Sequence, residues 1–163
     1  KLTTHCRINN INLSGSSAIR IQPGAGDIRF YIEGLQVNLS GNSIINQGGS
    51  FEQFAMYGGV STTVNKAYNC MGKSMNISGQ GNITAFLHMP CFNINLSGGT
   101  EAQPLQIVGA AIAKQWNATG DFARLSIPGG AGAKICSIYS VCSTMSSPDE
   151  YAGLGSYELR TIK

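Results

Sequence analysis

Val37-Asn38-Leu39-Ser40-Gly41 decides the fold, because the chain repeats it. Ile11-Asn12-Leu13-Ser14-Gly15 precedes it, and Met75-Asn76-Ile77-Ser78-Gly79 and Ile94-Asn95-Leu96-Ser97-Gly98 follow. A degenerate fifth copy reads Trp116-Asn117-Ala118-Thr119-Gly120. The starts lie 26, 38, 19 and 22 residues apart. A period of roughly 20–26 residues is the signature of a solenoid. Because 38 is twice 19, a full coil without the motif is expected between Gly41 and Met75.

Each copy alternates apolar and polar residues and ends on Gly. Alternation of this kind predicts a short strand with one buried and one wet face. The Gly supplies a corner where φ is positive or a neighbouring backbone passes close. One such strand cannot bury its apolar face alone, whereas stacked copies make a continuous core. The expected fold is therefore all-β: a single right-handed parallel β-helix of about six coils, roughly 30 Å long at the strand spacing. A β-sandwich is the alternative, since it also needs many short strands and Gly turns. Asn12, Asn38, Asn76, Asn95 and Asn117 are the candidate rung positions, with a structural role.

The length of 163 residues predicts one domain, with repeats over 11–127 and a C-terminal loop and capping strands over 128–163. Within the latter, 128–133 reads as a flexible loop, and Lys134 to Val141 and Ser156 to Ile162 as strands closing that end. Residues 1–10 read as a lead-in or cap for the first rung. Charged residues make up 12% and hydrophobic residues 42%, and the net charge of +3 is thinly spread. With no Lys/Arg cluster, neither a nucleic-acid footprint nor a polybasic membrane patch is present. No apolar run is long enough to span a bilayer. A start at Lys1 without Met or signal peptide leads us to expect a processed form or an excised ectodomain.

Five cysteines show no zinc-like spacing. Cys136 and Cys142, six apart, suit a small closed loop; Cys70 and Cys91, 21 apart, suit adjacent rungs. Both pairs are candidate disulfides, with buried free thiols as the alternative.

Ala85-Phe86-Leu87-His88-Met89-Pro90, then Asn93-Ile94-Asn95-Leu96-Ser97-Gly98, then Ile107-Val108-Gly109-Ala110-Ala111-Ile112-Ala113-Lys114 resembles a β-helix domain of bacterial pilus-assembly proteins of the PilX type. The resemblance covers about residues 28–127, and bactofilins share a similar rhythm. It implies a pilus-associated or surface structural domain with no catalytic site to carry over.

Polysaccharide-degrading β-helices need clustered acids. The adjacent acid pair here is Asp149-Glu150, in a Pro-containing stretch that reads as a solvated turn. His5 and His88 are the histidines, and His88 sits in an apolar strand that suits a structural role better than a general base. No Gly-x-Ser-x-Gly elbow occurs. We expect no enzyme, no cofactor and no metal.

Asn12, Asn38, Asn76, Asn82, Asn95 and Asn117 also begin Asn-x-Ser/Thr sequons, but a ladder of stacked Asn side chains explains those in the repeat without glycans. Tyr31, Tyr57, Tyr68, Tyr139, Tyr151 and Tyr157 are read as strand residues rather than a sugar-stacking surface. The expected function is structural or adhesive, at the cell surface or outside the cell, as a pilus or filament subunit that self-associates or binds other surface subunits. A secreted module binding surface glycans is second, and a polysaccharide-degrading enzyme third.

Overall fold

A computed structural model describes residues 2–41, 43–47, 49–59 and 70–139. The first turn of chain gives β1 (Thr3–Ile8), β2 (Ile11–Leu13) and β3 (Ile19–Ile21). The second gives β4 (Asp27–Ile32), β5 (Gln36–Ser40) and β6 (Ile44–Asn46). Next come β7 (Phe54–Gly58), β8 (Ser74–Gly79), the long β9 (Gly81–Gly98) and β10 (Leu105–Ala118), then β11 (Ala123–Ser126) and helix α1 (Ala131–Tyr139).

Every strand pairing is parallel. One sheet of nine strands runs β1-β4-β7-β9-β8-β5-β2, with β10 on β9 and β11 on β10, and it curls into a half-barrel. β3 and β6 form a second, two-stranded sheet. Asn46 Nδ2 donates to Thr84 O at 3.2 Å, which holds β6 against the start of β9. Both long strands change direction at a corner. There Ala113 lies opposite Met89 and Gln115 opposite Asn93, so three residues of β9 face one of β10. Pro90 sits at that bulge, where its missing N–H costs no ladder bond.

The alternation of the repeat decides what lies inside. Val37, Leu39, Met75, Ile77, Ile94 and Leu96 are all at most 2% exposed, and they pack with Phe54, Met56, Leu87, Met89 and Phe92 in one core. The Asn and Ser positions between them point outward. At both ends of the stack the same positions are only half covered: Leu13 on one side, Trp116 and Ala118 on the other.

The spacing argument for an extra coil fails. Asn38 pairs directly with Asn76, so the 38-residue interval is one rung, and its surplus falls between β7 and β8. An insertion at a corner leaves the stack intact. The repeat column thus holds five rungs, and the wall beside it stacks six strands, β1, β4, β7, β9, β10 and β11.

The lead-in to the first rung is itself a full strand, Thr3–Ile8, paired along its length with β4. One further expectation is corrected. The stretch from Ala131, read as loop and then strand, is α-helical as far as Tyr139. Its Ala131 and Ile135 cover an apolar patch on the outer face of the sheet, formed by Phe51, Ala55, Phe86 and Ala110. Burying those rings outweighs the weak strand preference of a short segment. Lys134 fastens the helix: Nζ lies 2.6 Å from Glu52 Oε1 and 5.7 Å from the centre of the Phe51 ring. Burial opposes ionisation of Glu52, but hydrogen bonds from Lys134 and Ser50 outweigh it and hold the carboxyl below its usual range.

A disulfide joins Cys70 to Cys91, with the Cα atoms 4.5 Å apart, and Cys6 is a free thiol. Cys136 falls in α1, and Cys142 and the Ser156 to Ile162 segment lie outside the described residues. Opening the 21-residue loop should cost about 3 kcal/mol through the restored freedom of the unfolded chain. Thermal melts with and without reductant should show that loss for the native chain and no further loss for Cys91→Ala.

Candidate functional site

The five repeat asparagines come together in one column. Asn12 lies opposite Asn38, Asn38 opposite Asn76, Asn76 opposite Asn95, and Asn95 opposite Asn117. From Asn38 to Asn117 the side chains form a chain of amide hydrogen bonds. Asn76 Nδ2 donates to Asn38 Oδ1 at 2.8 Å, Asn95 to Asn76 at 2.7 Å, and Asn117 to Asn95 at 2.8 Å. Gln115, two residues earlier on β10, donates from Nε2 to Asn117 Oδ1 at 2.9 Å and braces the last amide from the side. A carboxamide carries a donor and an acceptor on one planar group, so identical residues one strand apart satisfy each other. No other side chain of that size does this with itself in a parallel register.

Asn76 both donates and accepts within this column. Asn76→Ala should therefore cost about 1–3 kcal/mol, since it strands a half-buried amide on each side. Asn12→Ala, at the exposed end, should cost under about 0.5 kcal/mol. Chemical denaturation of the two variants checks the contrast.

A second column runs beside the first, on the outer face of β1, β4, β7 and β9. Tyr31 lies opposite Tyr57, and Tyr57 opposite His88. The Tyr31 and Tyr57 rings stack at 5.3 Å, and His5 stacks on Tyr31 at 5.7 Å with a 3.0 Å hydrogen bond between its Nδ1 and the Tyr31 hydroxyl. The rings are thus spent largely on each other. Tyr68, Tyr151 and Tyr157 lie outside the described residues, as do Asp149 and Glu150.

His88 packs edge-on to Tyr57 at 6.0 Å and stacks on Phe86 at 6.4 Å. Burial penalises its charged form and lowers its pKa below 6.5. The unfolded chain therefore binds a proton here that the folded chain resists, so stability falls as pH drops below about 6.5 towards the folded pKa. His88→Gln should flatten that part of the stability curve, read as melting temperature against pH.

One charged pair spans two rungs and another lies within β4. Arg7 binds Glu33, with Nε 2.6 Å from Oε1, and Arg29 lies 3.7 Å from Asp27. Lys73, which sequence reasoning passed over, is buried. Its Nζ donates to Glu33 O at 3.2 Å and Gly34 O at 2.8 Å and lies 5.3 Å from the centre of the Phe92 ring. Desolvation lowers its pKa. It closes the corner between β4 and β5 by giving the two carbonyls there a donor.

Among the described residues, no group of three His, Cys, Asp or Glu side chains is placed to hold a metal ion, and no helix is long and apolar enough to cross a membrane. No family model, curated protein or solved structure matches the chain.

Proposed function

We propose that this chain is a non-enzymatic structural protein, built as a closed right-handed parallel β-helix and assembled into a filament at the cell surface or outside the cell. The observation that carries the reading is the Asn column: one side chain, in one register, through five rungs. A site for chemistry requires different residues to converge on one point. A column of identical residues instead specifies an axis and a repeat. Parallel connections of this kind are right-handed in nearly all proteins, which supports the hand.

Assembly along that axis has a physical basis at the first rung. Among the described residues, β1 and β2 end the sheet order and β3 ends its own sheet, so all three present a free strand edge on the same side. Beneath them Cys6, Ile8, Leu13 and Ile19 are only partly covered. A second copy stacked there would extend the ladders and complete the burial of those side chains. The Cys70–Cys91 disulfide suits an oxidising compartment. The resemblance of residues 28–127 to PilX-type pilus-assembly proteins points to a pilus subunit or a domain at its tip.

Immunogold electron microscopy of native cells tests the reading. Gold along filaments supports a repeating subunit, and gold confined to their tips a cap. Gold spread over the cell body, or found only in the medium, rejects the filament role.

A further inference from the structure

A groove of about 1040 Å³ runs along the corner where β2, β5 and β8 end. Its floor is made by Gly15, Gly41 and Gly79, the closing residues of three successive repeats, which bring backbone and no side chain to the surface. The opposite side is built by outward positions of the following strands. Arg20 on β3 lies beside Ile45 on β6, and Asn82 on β9 beside Gln106 on β10. Gln80 and Gln103 close the far end. The groove thus follows the stacking axis across several rungs, with Arg20 at one end and four carboxamides towards the other.

The chemistry of this lining is selective. Carboxamides donate and accept at once, as sugar hydroxyls do, and a row of them suits a ligand with a hydroxyl-rich edge. Ala18, Ile45 and Pro104 supply small apolar surface for the C–H faces of sugar rings. No carboxylate lines the groove among the described residues, so an anionic ligand meets no repulsion from it, and Arg20 supplies a fixed, forked cation. Spacing separates a glycan from a peptide. Rungs repeat at about 4.8 Å, whereas an extended peptide presents side chains to one side every ~6.6 Å. A pyranose ring in a linear glycan advances by close to one rung, so successive sugars stay in step with successive rungs.

We propose that this groove binds a linear acidic oligosaccharide, with a uronic-acid carboxylate on Arg20 and ring hydroxyls on Asn82 and Gln106. The groove lies along the flank of the stack and begins at the first rung, where β3 carries Arg20.

Isothermal titration calorimetry of the purified chain with hexamers of galacturonate, of mannuronate and of the neutral glucan cellohexaose tests it. At least one acidic hexamer should bind, and cellohexaose should bind at least tenfold more weakly. Arg20→Gln should weaken the acidic hexamer about tenfold, the loss of one hydrogen-bonded charge pair. Asn82→Ala should weaken it several-fold, and Ala18→Trp, which fills the groove, should abolish binding. Arg20 and Asn82 are exposed and Ala18 borders the open groove, so melting curves of the variants should overlay that of the native chain. Absence of binding by both acidic hexamers, equal affinity for cellohexaose, or affinity untouched by Arg20→Gln and Ala18→Trp would each overturn the proposal.

Discussion

A chain carrying Leu39→Asp should not fold. Leu39 is 2% exposed and stands in register between Leu13 and Ile77, so its side chain has core on every side. Truncating a buried leucine alone costs about 2–5 kcal/mol. A carboxylate at the same place adds several kcal/mol more, because Leu39 is surrounded by apolar core side chains. Together these reach the whole stability of about 5–15 kcal/mol that a domain commands. The expected result is loss of the strand signal in circular dichroism and no cooperative melt. Ser97→Asp, on an exposed outward position of the same repeat, should shift stability by no more than about 0.5 kcal/mol. A folded Leu39→Asp chain would contradict the inward assignment of the first and third repeat positions.

Gly98→Ala should cost about 3–5 kcal/mol, whereas Gly15→Ala should cost about 1 kcal/mol, although both residues close the same pentapeptide. Both have positive φ, 110° at Gly98 and 61° at Gly15, so each substitution carries backbone strain. They differ in what lies beneath them. A Cβ at Gly98 would stand 2.7 Å from Gly79 N and 2.8 Å from Gly79 O, while at Gly15 nothing lies within 4 Å. Gly15 is the first in its column and Gly98 has a rung pressed against it. Neither backbone atom of Gly79 can move without disturbing a ladder. Midpoints of chemical denaturation measure the difference directly; equal costs at the two positions would mean that the corners do not stack.

These contrasts also mark how far the sequence can be read. The pentapeptide was legible because its chemistry is local: alternation assigns Val37 and Leu39 to the inside and Asn38 and Ser40 to the outside, and the closing Gly marks the corner. Its repetition pointed to parallel stacking, and with it the Asn column. The content of the 38-residue interval was not legible, because it looks the same whether it holds two coils or one coil with an insertion. Only the partner of Asn76 distinguishes them, and that partner is Asn38. Helix α1 was hidden for a different reason. Nine residues, two of them Gly or Pro neighbours, carry too weak a periodicity to outvote a β-rich context. Its conformation is decided by Phe51 and Phe86, which are far away in sequence. Lys73 was silent because nothing in its neighbours reveals that the carbonyls of Glu33 and Gly34 converge on it. The groove was equally silent. Arg20, Asn82 and Gln106 belong to separate repeats and share no motif, so their alignment along one edge exists only once the rungs are stacked.

The stacking itself is the central claim, and pairwise cysteine crosslinking tests it most directly. Asn38→Cys with Asn76→Cys places two thiols on directly paired residues 38 apart in sequence, at the ~4.8 Å strand spacing and within disulfide reach. Asn38→Cys with Asn95→Cys places them two rungs apart, at roughly twice that spacing and beyond it. With Cys6 replaced by Ser and mild oxidation, mass spectrometry of the digested chain should find the first pair linked and the second unlinked. A linked second pair, or an unlinked first, would contradict the parallel, in-register stack on which the rest depends.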